Sequence, residues 1–111
     1  DFGFICGVTD DSHFTVLEIS EDGYFTIWKQ IGDDYQYLVD WTYAEELAAG
    51  GPYELSATCG TSGLALAVNG SLLAEVADPQ FTPGQVGLIA GTYGHPNFKA
   101  AFDNFKLFLP E

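Results

Sequence analysis

The residues with the clearest chemical use in this sequence are aromatic rings that stand close to carboxylates and amides. Trp28, Tyr35, Tyr37, Trp41, Tyr43 and Tyr93 supply the rings, and Asp33, Asp34, Asp40 and Asn97 supply polar groups in the same stretches. A pyranose ring lays its C–H groups on an exposed aromatic face, while acids and amides bond its hydroxyls. A sugar platform is therefore expected from Trp28, Tyr35, Tyr37, Trp41, Tyr93 and Asn97. Read as strands, Tyr24, Thr26 and Trp28 share one face, and Tyr35 and Tyr37 share another. The competing use of the same rings is packing, since cross-strand aromatic pairs stabilise sheets whatever they bind.

Hard-cation chemistry is the second expectation. Calcium collects several oxygens from carboxylates and carbonyls. Asp10-Asp11, Asp33-Asp34, Asp78 and Asp103-Asn104 lie in turns or near strand ends, with Asp78, Asp103 and Asn104 the ligands of most interest. No EF-hand spacing occurs, so such ligands must converge from separate loops. The alternative is that each Asp bonds its own backbone and shapes a turn.

Catalytic chemistry has weaker support. A glycoside hydrolase sets paired carboxylates beside the scissile bond. The nearest approach is Glu18-Ile19-Ser20-Glu21-Asp22, where Ser20 holds the middle place and Asp22 falls in a turn. The only histidines are His13 and His95, and there is neither a nucleophile elbow nor a glycine-rich phosphate loop around a catalytic group. No enzyme activity is expected. Asn69-Gly70-Ser71 is not taken as a glycan-acceptor triplet, because Leu72 follows it, and neither Asn97 nor Asn104 is taken as an acceptor.

The cysteines Cys6 and Cys59 form no CxxC pair and have no histidine nearby, which argues against zinc. A disulfide joining two strands is the preferred reading. Two buried thiols acting as small apolar groups are the alternative.

The elements that carry these residues are strands. The chain has 111 residues, enough for one domain over 1–111, with 47% hydrophobic and 15% aromatic residues to fill a core. Turn signals recur roughly every ten residues with apolar alternation between them, the pattern of an all-β sandwich. The expected strands are Phe2–Val8, His13–Ser20, Tyr24–Gln30, Tyr35–Trp41, Tyr53–Cys59, Leu64–Val68, Leu72–Val76, Gln85–Ala90 and Phe98–Leu109. Asn69-Gly70 is the strongest hairpin turn. Between Thr42 and Gly51 a short helical crossover is expected, with Thr42 as its cap and Glu45 three residues on.

The run Leu64-Ala65-Leu66-Ala67-Val68-Asn69-Gly70, then Ala74-Glu75-Val76, Asp78, Phe81, Gly84, Val86-Gly87-Leu88 and the closing Phe102-Asp103-Asn104-Phe105, resembles the concanavalin A-like jelly roll. The nearest subgroup is the laminin-G-like and 3-keto-disaccharide hydrolase-like domains. The resemblance implies an antiparallel two-sheet jelly-roll sandwich that lacks the family's opening strand or strands. It implies in turn that this chain is the C-terminal part of something larger. With the opening strands missing and the last strand, Phe98–Leu109, present, an unpaired apolar strand edge is expected to be covered by an upstream segment or by a strand from a neighbouring subunit.

Sixteen acids against three bases give a net charge of −13, which repels nucleic-acid phosphates and anionic lipid. No apolar run reaches the roughly 20 residues needed to span a bilayer. The sequence thus points to an extracellular or cell-surface module, without catalysis, that binds a glycan or a surface protein. The alternatives are a structural subunit of a surface assembly, self-associating through the open edge, and a fragment of a glycoside hydrolase.

Overall fold

The computed structural model describes residues 2–90, and they form a two-sheet antiparallel β-sandwich. Strands β1 (Phe2–Asp10), β2 (His13–Ile19), β3 (Tyr24–Ile31) and β4 (Asp34–Tyr43) follow one another as hairpins. A short helix, α1 (Glu45–Ala48), carries the chain across to β5 (Leu55–Gly60), β6 (Gly63–Val68) and β7 (Ser71–Val76). Strand β8 (Gln85–Ala90) then returns to the first layer. The larger sheet has the order β4-β3-β2-β1-β8 and the smaller β5-β6-β7. The expected ninth strand, Phe98–Leu109, lies outside the described residues.

Alternation explains the layering. On β2, Leu17 and Ile19 point to the smaller sheet and have no solvent exposure, and Ile27 does the same from β3. They meet Leu64, Leu66 and Val68 of β6, which are also fully enclosed. Cys6 of β1 bonds Cys59 of β5, so the disulfide joins the two layers across the core. Of the two states open to these cysteines, the structure has the bonded one.

Gly3 shows how tightly β1 is held. A Cβ there would run into the carbonyl oxygen of Leu17 and reach within 2.7 Å of Glu18 Cα. Only glycine lets the strands approach this closely.

Strand β1 pairs with β2 on one side and with β8 on the other, Phe4 opposite both Leu17 and Leu88. One expectation needs correction: Thr42 does not cap the helix. It still lies in β4 opposite Phe25, and its hydroxyl donates to the Asp40 carbonyl at 2.7 Å. The N-cap is Ala44, without a side-chain bond. Pairing with β3 holds the chain extended for longer than the capping pattern suggests. The crossover role of the segment holds, and Leu47 adds a fully buried side chain to the core.

Candidate functional site

Residues directly opposite each other in an antiparallel pair project to the same face. In the β3–β4 ladder Tyr24 stands opposite Tyr43, Trp28 opposite Tyr37, and Gln30 opposite Tyr35. Tyr24, Trp28, Tyr35, Tyr37 and Tyr43 therefore share the outer face of the larger sheet, the face turned away from the core. The two faces anticipated separately for Tyr24–Trp28 and for Tyr35–Tyr37 are one. The two-residue turn Gly32-Asp33 sets this register from Ile31–Asp34 through Trp28–Tyr37, and the register shifts between Phe25 and Ile27 and between Ile27 and Trp28 then place Tyr43 opposite Tyr24.

The rings are ordered by edge-to-face contacts. Tyr35 and Tyr37 lie 5.8 Å apart at 89°, Tyr24 and Tyr43 5.5 Å apart at 72°, and Phe14 and Trp28 5.8 Å apart at 70°. Such contacts fix ring orientation before any ligand arrives. Tyr35 is 65% exposed and Tyr43 54%, so much of their ring surface faces water. Trp41, also exposed, stands two residues before Tyr43 on β4. Trp28 is half-buried between its neighbours. Phe14 and Tyr24 join the face although sequence reasoning left them out of the platform. Cross-strand register was the missing signal.

Glu18 supplies a carboxyl group on the same face. It sits on β2 opposite Thr26 and is buried, and the Trp28 indole Nε1 donates to its Oε1 at 3.2 Å. Burial holds its pKa above the ordinary glutamate value, while the indole hydrogen bond pulls the other way. Asp22 lies in the β2–β3 turn, where its carboxylate accepts the Ser20 hydroxyl.

His13 meets both other members of a serine–histidine–aspartate set, but in the wrong arrangement. Asp10 Oδ1 lies 2.8 Å from His13 Nδ1, and Ser12 Oγ lies 3.5 Å from the same nitrogen. A triad needs its serine and its acid on opposite ring nitrogens. Asp10 also accepts the Ser12 amide at 2.8 Å, so the group is an exposed turn. These bonds, that of His13 first, lower the Asp10 pKa.

Asp78 has a structural task. Lys29 reaches from β3 to place Nζ 3.0 Å and 3.1 Å from its two carboxylate oxygens, and the Gln80 amide donates to Oδ1 at 3.2 Å. Both side chains are buried. Among the described residues no three histidine, cysteine or acidic side chains converge into a metal-ligand cluster. The other expected calcium ligands, Asp103 and Asn104, lie outside the described residues, as do the expected sugar contacts Tyr93 and Asn97.

Asn69 also needs correction. Asn69-Gly70-Ser71 is an Asn-x-Ser triplet with x other than proline, and Leu72 lies beyond the triplet and does not disqualify it. No helix among the described residues is long and apolar enough to cross a membrane. No known protein family, curated protein or solved structure matches the chain.

Proposed function

We propose that this chain is a noncatalytic extracellular binding domain that takes up a glycan on the outer face of its larger sheet. The observation that carries the reading is the single exposed aromatic surface formed by Tyr35, Tyr37, Trp28, Tyr24 and Tyr43 across β3 and β4. Rings that already hold one another at right angles lose little freedom when a sugar stacks on them. The tyrosine hydroxyls and Gln30 offer bonding partners for sugar hydroxyls on that face. The resemblance to concanavalin A-like jelly rolls points the same way, and the two antiparallel layers accord with it. The disulfide suits an oxidising compartment, which supports a location outside the cytosol.

The test is titration of the intact chain with a broad panel of oligosaccharides, followed by tryptophan fluorescence. A saturable change is expected with at least one sugar. Tyr35→Ala and Tyr37→Ala should each weaken it about fivefold or more, as loss of a contact worth more than 1 kcal/mol requires. A flat response to the whole panel, or binding that survives both substitutions unchanged, sinks the proposal.

A further inference from the structure

We propose that Asn69 is an N-glycosylation site, occupied when the chain passes through a secretory pathway equipped for oligosaccharyl transfer. The triplet Asn69-Gly70-Ser71 is the acceptor pattern. It stands at the tip of the β6–β7 hairpin, and all three residues are exposed. Asn69 and Gly70 have φ of 49° and 83°, the left-handed pair of a two-residue hairpin turn. A Cβ built on Gly70 would meet nothing within 4 Å, so the space around the tip is open.

The amide of Asn69 is oriented for this use. Its Oδ1 accepts the Glu54 backbone N–H at 2.9 Å, and its own backbone N–H donates to the Glu54 carbonyl at 2.8 Å. Because the partner is an N–H donor, the accepting atom must be the oxygen. Nδ2 is left with no hydrogen bond among the described residues. Transfer attaches C1 of the sugar to Nδ2. The donor is a polyprenyl-diphosphate-linked oligosaccharide, which loses its C1–oxygen bond and leaves as the polyprenyl diphosphate, while Nδ2 gives up one proton. The product keeps both the Oδ1 carbonyl and one N–H, so the bond to Glu54 survives modification.

The hairpin belongs to the smaller sheet, whereas the aromatic surface lies on the far side of the larger one. A glycan at Asn69 therefore leaves that surface clear, and the proposal does not depend on the sugar-binding reading. The disulfide is the independent sign of an oxidising, secretory setting.

The experiment is secretion of the whole chain from a eukaryotic cell line, followed by intact-mass and peptide mapping before and after peptide-N-glycosidase treatment. One glycan-sized increment is expected at Asn69, removed by the enzyme, absent in Ser71→Ala and retained in Ser71→Thr. Ser71 is an exposed strand residue that pairs with Val68 through its backbone, so Ser71→Ala leaves the hairpin standing. Secreted, disulfide-bonded protein with unmodified Asn69, or an increment that persists in Ser71→Ala, overturns the proposal.

Discussion

The Trp28 indole donates a hydrogen bond to Glu18 across the β2–β3 ladder, tying a buried acid to the aromatic face at 3.2 Å. Taking this carboxylate out of water costs free energy when it is charged, which is why its pKa rises. Linkage fixes the sign: the folded state holds the proton more tightly than the unfolded state, so Glu18 contributes most favourably at low pH. That contribution is lost as pH rises from the unfolded value near 4.5 through the higher folded one. Glu18→Gln removes the charge and keeps an acceptor for the indole. Its denaturation midpoint relative to the parent should therefore be higher at neutral pH than well below 4.5. A difference independent of pH between those limits refutes the account.

Lys29 and Asp78 make the opposite case, a buried pair whose charges satisfy each other. Removing one partner leaves the other charged and enclosed, a defect worth about 3–5 kcal/mol. Lys29→Met should lower stability by that order in urea denaturation. The double variant Lys29→Met, Asp78→Leu should recover much of the loss, less what the Gln80 amide forfeits. A double variant as unstable as the sum of both singles contradicts the assignment.

The contrast between these two acids shows how far the sequence could be read. Turn residues together with period-two alternation mark the eight described strands to within a few residues. The alternation is lost on β2, where Thr15 to Ile19 are all buried, and is clean where one face alone is enclosed, as on β6. Leu64, Leu66 and Val68 are an example, and all three are fully buried. The aromatic residues were legible as a set but not as a surface. Tyr35 and Tyr37 meet Gln30 and Trp28 through the register set by the Gly32-Asp33 turn, and Tyr43 meets Tyr24 only after register shifts further along β4; register is settled between strands rather than within one. The Lys29–Asp78 pair spans 49 residues and leaves no local sign, so Asp78 reads as a loop acid of the kind that binds calcium. Thr42 fits a capping pattern locally, but tertiary pairing with Phe25 keeps it in the strand.

The disulfide should carry a measurable share of stability. It closes a loop with a sequence separation of 53 residues. In the chain-entropy model a cross-link of that span stabilises by about 4 kcal/mol. Replacing both Cys6 and Cys59 by serine, or reducing the bond, should lower the unfolding free energy by that order. Because the bond joins β1 to β5, hydrogen exchange should quicken most where the two layers meet. A loss below about 1 kcal/mol would mean that the enclosed Leu and Ile side chains hold the layers together without it.

Charge predicts what the aromatic surface refuses. Lys29 is the only lysine among the described residues, and it points inward to Asp78. Asp33 and Asp34 directly precede Tyr35, and Asp40 directly precedes Trp41, all of them exposed. With a net charge of −13, the chain repels an anionic ligand before contact, and the platform has no described cation to receive it. Neutral oligosaccharides should therefore bind about tenfold or more tightly than uronic-acid oligomers of equal length at low salt, a gap of roughly 1.4 kcal/mol. Added salt should narrow that gap as the exposed carboxylates are screened over a Debye length of about 8 Å at physiological ionic strength. Calorimetry with matched neutral and acidic hexasaccharides at two salt concentrations measures both effects. Equal affinity for the two at low salt would show that stacking on Tyr35 and Tyr37 outweighs the field of the surrounding acids.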